Sequence, residues 1–174
     1  MAVAQVAYDP TQSSNLNDQN AQFRVGDEFE MADGKTYIYV RFDNGAGNVA
    51  SANGGAAYWK TYASGIVTSD KTDSEVGATI PLGCAGIFQG VVTDQYYTWL
   101  QKRGRRTSVR LLAGDSDGAV GNKVFPPAAD APNDLDLRSE ALSSISASEI
   151  PAQQVGVQMA AGASNLATVM LTII

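Results

Sequence analysis

The chain has 174 residues, a formal net charge of −6, one cysteine and no histidine. That length supports a single domain able to bury roughly 70% of the surface its unfolded chain exposes, and an apolar share of 44% excludes wholesale disorder. The acidic balance argues against nucleic acid as the partner; Cys84 alone cannot form an internal disulfide or a cysteine zinc cluster; and without histidine the commonest general base and transition-metal ligand is missing.

Residues 1–22 are polar and irregular, rich in Asn, Ser and Gln, with few apolar groups to bury. They read as an N-terminal arm, either frayed or ordered on a neighbouring subunit, with Tyr8 and Leu16 as its candidate contact residues. The N-terminus lacks a basic region followed by an apolar run, so no secretory leader is expected. The apolar tail at 166–174 is far shorter than the ~20 residues of a spanning helix. The expectation is a protein made in a cytoplasm with no membrane partner.

A β-domain is expected over 23–174. Phe23, Val25, Phe29 and Met31 lead to Asp33-Gly34, a two-residue hairpin signal. The next strand alternates, with Ile38, Val40 and Phe42 on one face and Tyr37, Tyr39 and Arg41 on the other. Residues 43–57 form a long Gly/Asn/Ala loop. Short strands follow at 58–62 and 65–68. A central hairpin spans 83–104, with Ile87, Phe88, Val91 and Val92 before a Thr93-Asp94 turn and Tyr96, Tyr97, Thr98, Trp99 and Leu100 after it. A separate strand is predicted at 107–112. Residues 126–134 are irregular, and a weak helical turn is predicted at 139–149, where Leu142 and Ile145 lie three apart. The segment 155–174 repeats the strand–turn–strand plan, so the two hairpins either pair in one sheet or close a barrel. About nine short strands with no long amphipathic helix predict an all-β fold, a small β-barrel or β-sandwich.

Three pieces of this pattern resemble the head-decoration (capsid cement) proteins of tailed bacteriophages. One is Val25-Gly26-Asp27 with Met31-Ala32-Asp33-Gly34-Lys35-Thr36-Tyr37. The second is Gly86-Ile87 through Tyr96-Tyr97-Thr98-Trp99-Leu100-Gln101. The third is Val155-Gly156-Val157 with Val169-Met170-Leu171. The resemblance implies a β-rich virion protein that binds the major capsid protein on the outside of the assembled shell, often as a trimer, and reinforces it. The loop 43–57 and the basic run after Gln101 depart from that pattern.

Lys102, Arg103, Arg105, Arg106 and Arg110 carry five of the twelve basic residues. They read either as solvated charges guarding an aggregation-prone strand or as docking groups for an acidic shell, where arginine supplies forked hydrogen bonds. Tyr58, Trp59 and Tyr62, and Tyr96, Tyr97 and Trp99, place aromatics on both faces of their strands. Core packing accounts for one face; the other suits a subunit interface or stacking on sugar rings. Candidate contact residues are therefore Tyr8, Leu16, Tyr58, Trp59, Tyr97, Trp99, Arg103, Arg105 and Arg106. Asp115-Ser116-Asp117-Gly118 and the acids Asp134 and Asp136 read as Asx turns, since the first group lacks the remaining ligands of a calcium loop. Cys84 reads as a small buried hydrophobe.

No histidine means no Ser-His-Asp arrangement, and no phosphate loop or dinucleotide fingerprint is present. A non-enzymatic protein without metal or cofactor is expected. The leading expectation is a trimeric decoration protein on the capsid exterior, for which deletion of residues 1–20 removes shell binding and leaves the β-domain folded. The rival is a carbohydrate-binding β-sandwich that displays Tyr and Trp to glycans.

Overall fold

Aromatic and β-branched residues fill both faces of the chain between 36 and 42, so this strand needs cover on two sides. In a computed structural model that describes residues 8–73, 83–112, 120–126, 136–140, 154–160 and 165–173, it gets both. The described residues form ten strands: β1 (Glu28–Glu30), β2 (Thr36–Phe42), β3 (Ala56–Thr61), β4 (Ile66–Thr68), β5 (Cys84–Phe88), β6 (Tyr97–Arg110), β7 (Lys123–Phe125), β8 (Arg138–Glu140), β9 (Gly156–Ala160) and β10 (Leu166–Thr172). The fold is all-β, a closed five-strand barrel with further strands attached.

The barrel runs β2-β4-β3-β5-β6 and closes through β2–β6 pairing, from Thr36↔Arg103 to Arg41↔Tyr97. Its one parallel step is β2–β4. It arises because the 3-10 turn Tyr62–Ser64 folds β4 back between β3 and β2. From β6 the sheet continues as a wing, β10-β9-β7-β8. β1 lies on the outer edge of β2.

The spine is β6, fourteen residues long. Its first half belongs to the barrel and its second half pairs with β10, from Arg103↔Thr172 to Arg110↔Leu166. The predicted strand at 107–112 is thus not separate: Thr107–Arg110 continue β6 past Gly104. The sequence signal breaks at Gly104, but the Gln101 amide donates to the carbonyls of Arg103, Gly104 and Arg105 at 3.0, 3.3 and 3.3 Å. That clamp and the β10 ladder carry the strand through its bend.

The central hairpin forms as expected, with Ile87↔Gln101 and Phe88↔Leu100. So does the C-terminal one, β9–β10. The two share one sheet through β6–β10, while the barrel closes elsewhere. The first hairpin differs in its turn. Met31 donates its N–H to Lys35 at 2.8 Å, and Gly34 donates to the Met31 carbonyl at 2.9 Å, with φ +79° at Gly34. This is a three-residue loop ending in a left-handed glycine, not a two-residue turn. Of the predicted helical turn, Ser139 and Glu140 belong to β8; the remainder, the Asp115–Gly118 turn and Asp134 lie outside the described residues.

Three apolar clusters divide the interior. Ile38, Val40, Phe42, Ala57, Trp59, Val67, Ala85, Phe88, Val92 and Leu100 fill the barrel. Tyr58, Cys84 and Ile87 point the other way and join Val109, Leu111, Val124, Leu137, Val155, Val169, Leu171 and Ile173 of the wing. Tyr37, Tyr39 and Trp99, on the outer face of β2 and β6, are covered by Tyr8, Leu16, Phe23, Phe29, Met31 and Tyr97. No helix among the described residues is long and apolar enough to cross a membrane.

Candidate interaction surface

Aromatic alternation was the sequence's main argument for an exposed sticky face, and the structure assigns those rings differently. Tyr58 is fully buried and Trp99 is 1% exposed. This corrects the expectation that they form a contact surface. Because β3 has the barrel on one side and the wing core on the other, Tyr58 is enclosed by its own chain. Trp99 is enclosed by the arm. Trp59 faces the barrel and is 8% exposed; Tyr97 is half-buried and stacks on Tyr39, with ring centroids 5.8 Å apart.

Residues 8–22 lie along this same face. Asp18 and Tyr97 exchange backbone hydrogen bonds at 3.0 and 2.8 Å. Thr98 donates its hydroxyl to the Leu16 carbonyl at 2.9 Å, and Trp99 donates its indole N–H to the Tyr8 hydroxyl at 2.7 Å. Gln22 donates its N–H to the Tyr39 hydroxyl at 3.1 Å. Tyr8 and Leu16, proposed as contacts to another molecule, are half-buried against their own barrel.

The basic run on β6 separates into two groups. Lys102 pairs with Glu28 at 2.6 Å, and Arg110 pairs with the buried Asp136 at 2.7 Å. Arg106 donates to Gln89 Oε1 at 2.8 Å and to Asn53 Oδ1 at 2.5 Å, fastening the long loop to the end of β5. These three side chains tie the fold together. Arg103 and Arg105, two residues apart, are exposed and make no ion pair with the described residues.

Two concavities flank this strand. A groove of about 650 Å³ lies among the first hairpin turn, the end of β5 and the middle of β6, lined by Asp33, Lys35, Tyr37, Gln89, Gln101, Arg105 and Arg106, with Thr11 and Thr107 at its edge. Burial pushes the Tyr37 phenol up to about 12, and burial pulls the Arg106 guanidinium below its ordinary value. A smaller pocket of about 300 Å³ is lined by Glu28, Trp59, Tyr62, Gly65 and Lys102, among others. Tyr62, 61% exposed, stands edge-on to Trp59 at 5.1 Å. Among the described residues no three His, Cys, Asp or Glu side chains are grouped to hold a metal ion.

Sequence reasoning singled out Arg105 and Arg106 but not the groove they share with Lys35, Tyr37, Gln89 and Gln101. The available signal was Gln89 and Gln101, two amides set at the ends of apolar runs. The closure of the barrel, which brings β2 beside β6, was not available. Comparison of the chain with protein-family models, with curated proteins and with solved structures finds no match.

Proposed function

We propose that this chain is a structural virion protein that binds the outer surface of an assembled tailed-phage capsid, through the major capsid protein, and stabilises it. The observation that carries the reading is the pair Arg103 and Arg105. On a chain of net charge −6, two neighbouring arginines are left exposed while the other cations of the same strand serve internal contacts. Guanidinium groups held on a rigid strand suit bidentate contact with carboxylates of a shell. A homotrimer would present three such strands, and several weak contacts acting together raise avidity without a strong single one. The virion exterior is the corresponding location.

Co-sedimentation of the full chain with expanded, undecorated shells of the phage that encodes it tests the reading. The wild type pellets with shells, and the double variant Arg103→Gln, Arg105→Gln pellets substantially less at moderate salt. A wild type that stays in the supernatant counts against the whole proposal. Size exclusion with light scattering tests the trimer separately.

One observation favours the second reading, a glycan-binding module. Tyr62 stands exposed beside a pocket that contains Trp59, with Glu28 and Lys102 to hydrogen-bond hydroxyls. A glycan array on the isolated chain decides it: saturable binding lost in Tyr62→Ala favours the module, and a blank array removes it.

A further inference from the structure

The 650 Å³ groove beside β6 carries an electrostatic imbalance that the described residues do not resolve. Lys35, Arg105 and Arg106 line it against the single carboxylate of Asp33, and Asp33 is already paired with Lys35. Two guanidinium charges are therefore left over, in a protein that is acidic as a whole. Arg106 is the more telling. Among the described residues its partners are neutral amide oxygens, at Gln89 and Asn53, and its buried Nε has none. A partly buried cation normally takes a carboxylate, because neutral acceptors recover only part of the hydration it lost. A guanidinium has five N–H donors, and the two amides use one at each terminal nitrogen. One further N–H remains at each.

Tyr37 adds a donor to the same groove. It is 1% exposed, yet its hydroxyl makes no hydrogen bond with the described residues. The residue lines the groove, so its hydroxyl can donate to a group bound there. The surplus guanidinium charge and this donor together suit an acceptor that carries negative charge.

We propose that this groove is a carboxylate-binding site, in which Arg105 and Arg106 supply the charge and the Tyr37 hydroxyl donates a hydrogen bond to the bound oxygen. The two coplanar oxygens of a carboxylate match the forked N–H donors of a guanidinium. The carboxylate comes either from an acidic side chain of a peptide segment or from a small free polycarboxylate. The assignment does not depend on shell binding and is testable on the isolated chain.

The experiment is an NMR titration of the ¹⁵N-labelled full chain at constant ionic strength, following the arginine Nε–H and backbone amide signals of β6. Four probes are compared: blocked hexaglutamate, blocked hexaglutamine, citrate and inorganic phosphate. Saturable shifts around Arg105 with hexaglutamate assign a side-chain carboxylate; shifts with citrate alone assign a free one. Arg105→Gln weakens binding about tenfold and Tyr37→Phe several-fold, whereas Arg103→Gln, which removes the same charge outside the groove, changes it less than about twofold. Tyr37→Phe removes only an unpartnered hydroxyl, so it keeps the fold. Absence of saturable shifts at millimolar hexaglutamate and citrate overturns the proposal. So does phosphate binding as tightly as either carboxylate, or equal loss in Arg103→Gln and Arg105→Gln.

Discussion

Trp99 donates its indole N–H to the hydroxyl of Tyr8, 91 positions earlier, at 2.7 Å. The bond sits within an aromatic cluster: Tyr8 lies edge-on to Phe23 at 4.7 Å and to Phe29 at 5.9 Å, and Phe23 edge-on to Trp99 at 5.3 Å. Residues 8–22 of the N-terminal arm are thereby packed on the domain they precede. Its polar composition hid this, because a handful of well-placed groups, Tyr8, Leu16 and the Asp18 backbone, provide the attachment.

Tyr8→Phe keeps the ring and removes the acceptor, leaving a buried indole N–H unmet. Chemical denaturation should show a loss of about 1–2 kcal/mol. Deleting residues 1–20 also removes Leu16 and uncovers Tyr39 and Trp99. The truncated chain should lose several kcal/mol of stability, a cost that the sequence, from which the β-domain was expected to stay folded without residues 1–20, did not reveal. An unchanged midpoint for the truncated chain would show that the arm contributes nothing to the fold.

Gly54 crosses very close to the spine strand. It donates its N–H to the Phe88 carbonyl and accepts from the Arg110 N–H, both at 2.9 Å. Its φ is +80°, and a Cβ there would lie 1.9 Å from the Ser108 carbonyl oxygen. Gly54→Ala should cost about 3 kcal/mol or more, since backbone must move. Gly34→Ala, with a similar φ but open space around it, should cost only about 1 kcal/mol. Thermal melts of the two variants compare them directly.

Lys60 bridges Asp43 at 3.0 Å and Asp73 at 2.7 Å, holding the long loop against β3. Burial acts to raise Asp43, but the Gly45 N–H and Lys60 outweigh it and leave the carboxyl below its ordinary value. The bond to Asp73, reinforced by Asp43 against a smaller opposing effect of burial, raises Lys60 above its own. The depressed Asp43 contributes stability above about pH 3.9, lost as pH falls through its folded value. The raised Lys60 contributes fully below about pH 10.4, lost as pH rises through its folded value. The margin of the wild type over Lys60→Met should therefore be flat, about 1 kcal/mol, from pH 5 to 9, and shrink at both ends. Melts across the range measure it; a margin independent of pH would refute the linkage.

Cys84 is fully buried, and burial pushes its thiol up to about 12. The native protein at pH 8 should react with an aromatic disulfide reagent at least about a thousandfold more slowly than a free thiol, because thiolate is scarce and shielded. Denaturant should release one thiol per chain. Rapid labelling of the native protein would contradict the burial of β5.

The all-β fold, the three hairpins and the strand at 36–42 were legible because they rest on local chemistry: alternating apolar residues, Gly and Asp turns, and the absence of a helical period. The sequence also marked Arg103, Arg105 and Arg106 as notable, from charge density alone. It could not say which of these arginines was free. Arg106 is occupied because Asn53 and Gln89 arrive from a distant loop and the end of β5.

By itself, then, the sequence determined that β2, β3, β5 and β6 carry apolar groups on both faces, since side-chain alternation is a property of any extended chain. What covers the second face was decided only by tertiary structure. Closing the barrel through β2–β6 leaves Tyr37, Tyr39 and Trp99 outside, where the arm seals them, and extending β6 into the wing encloses Tyr58. Those long-range pairings depend on strand order, which no local pattern encodes.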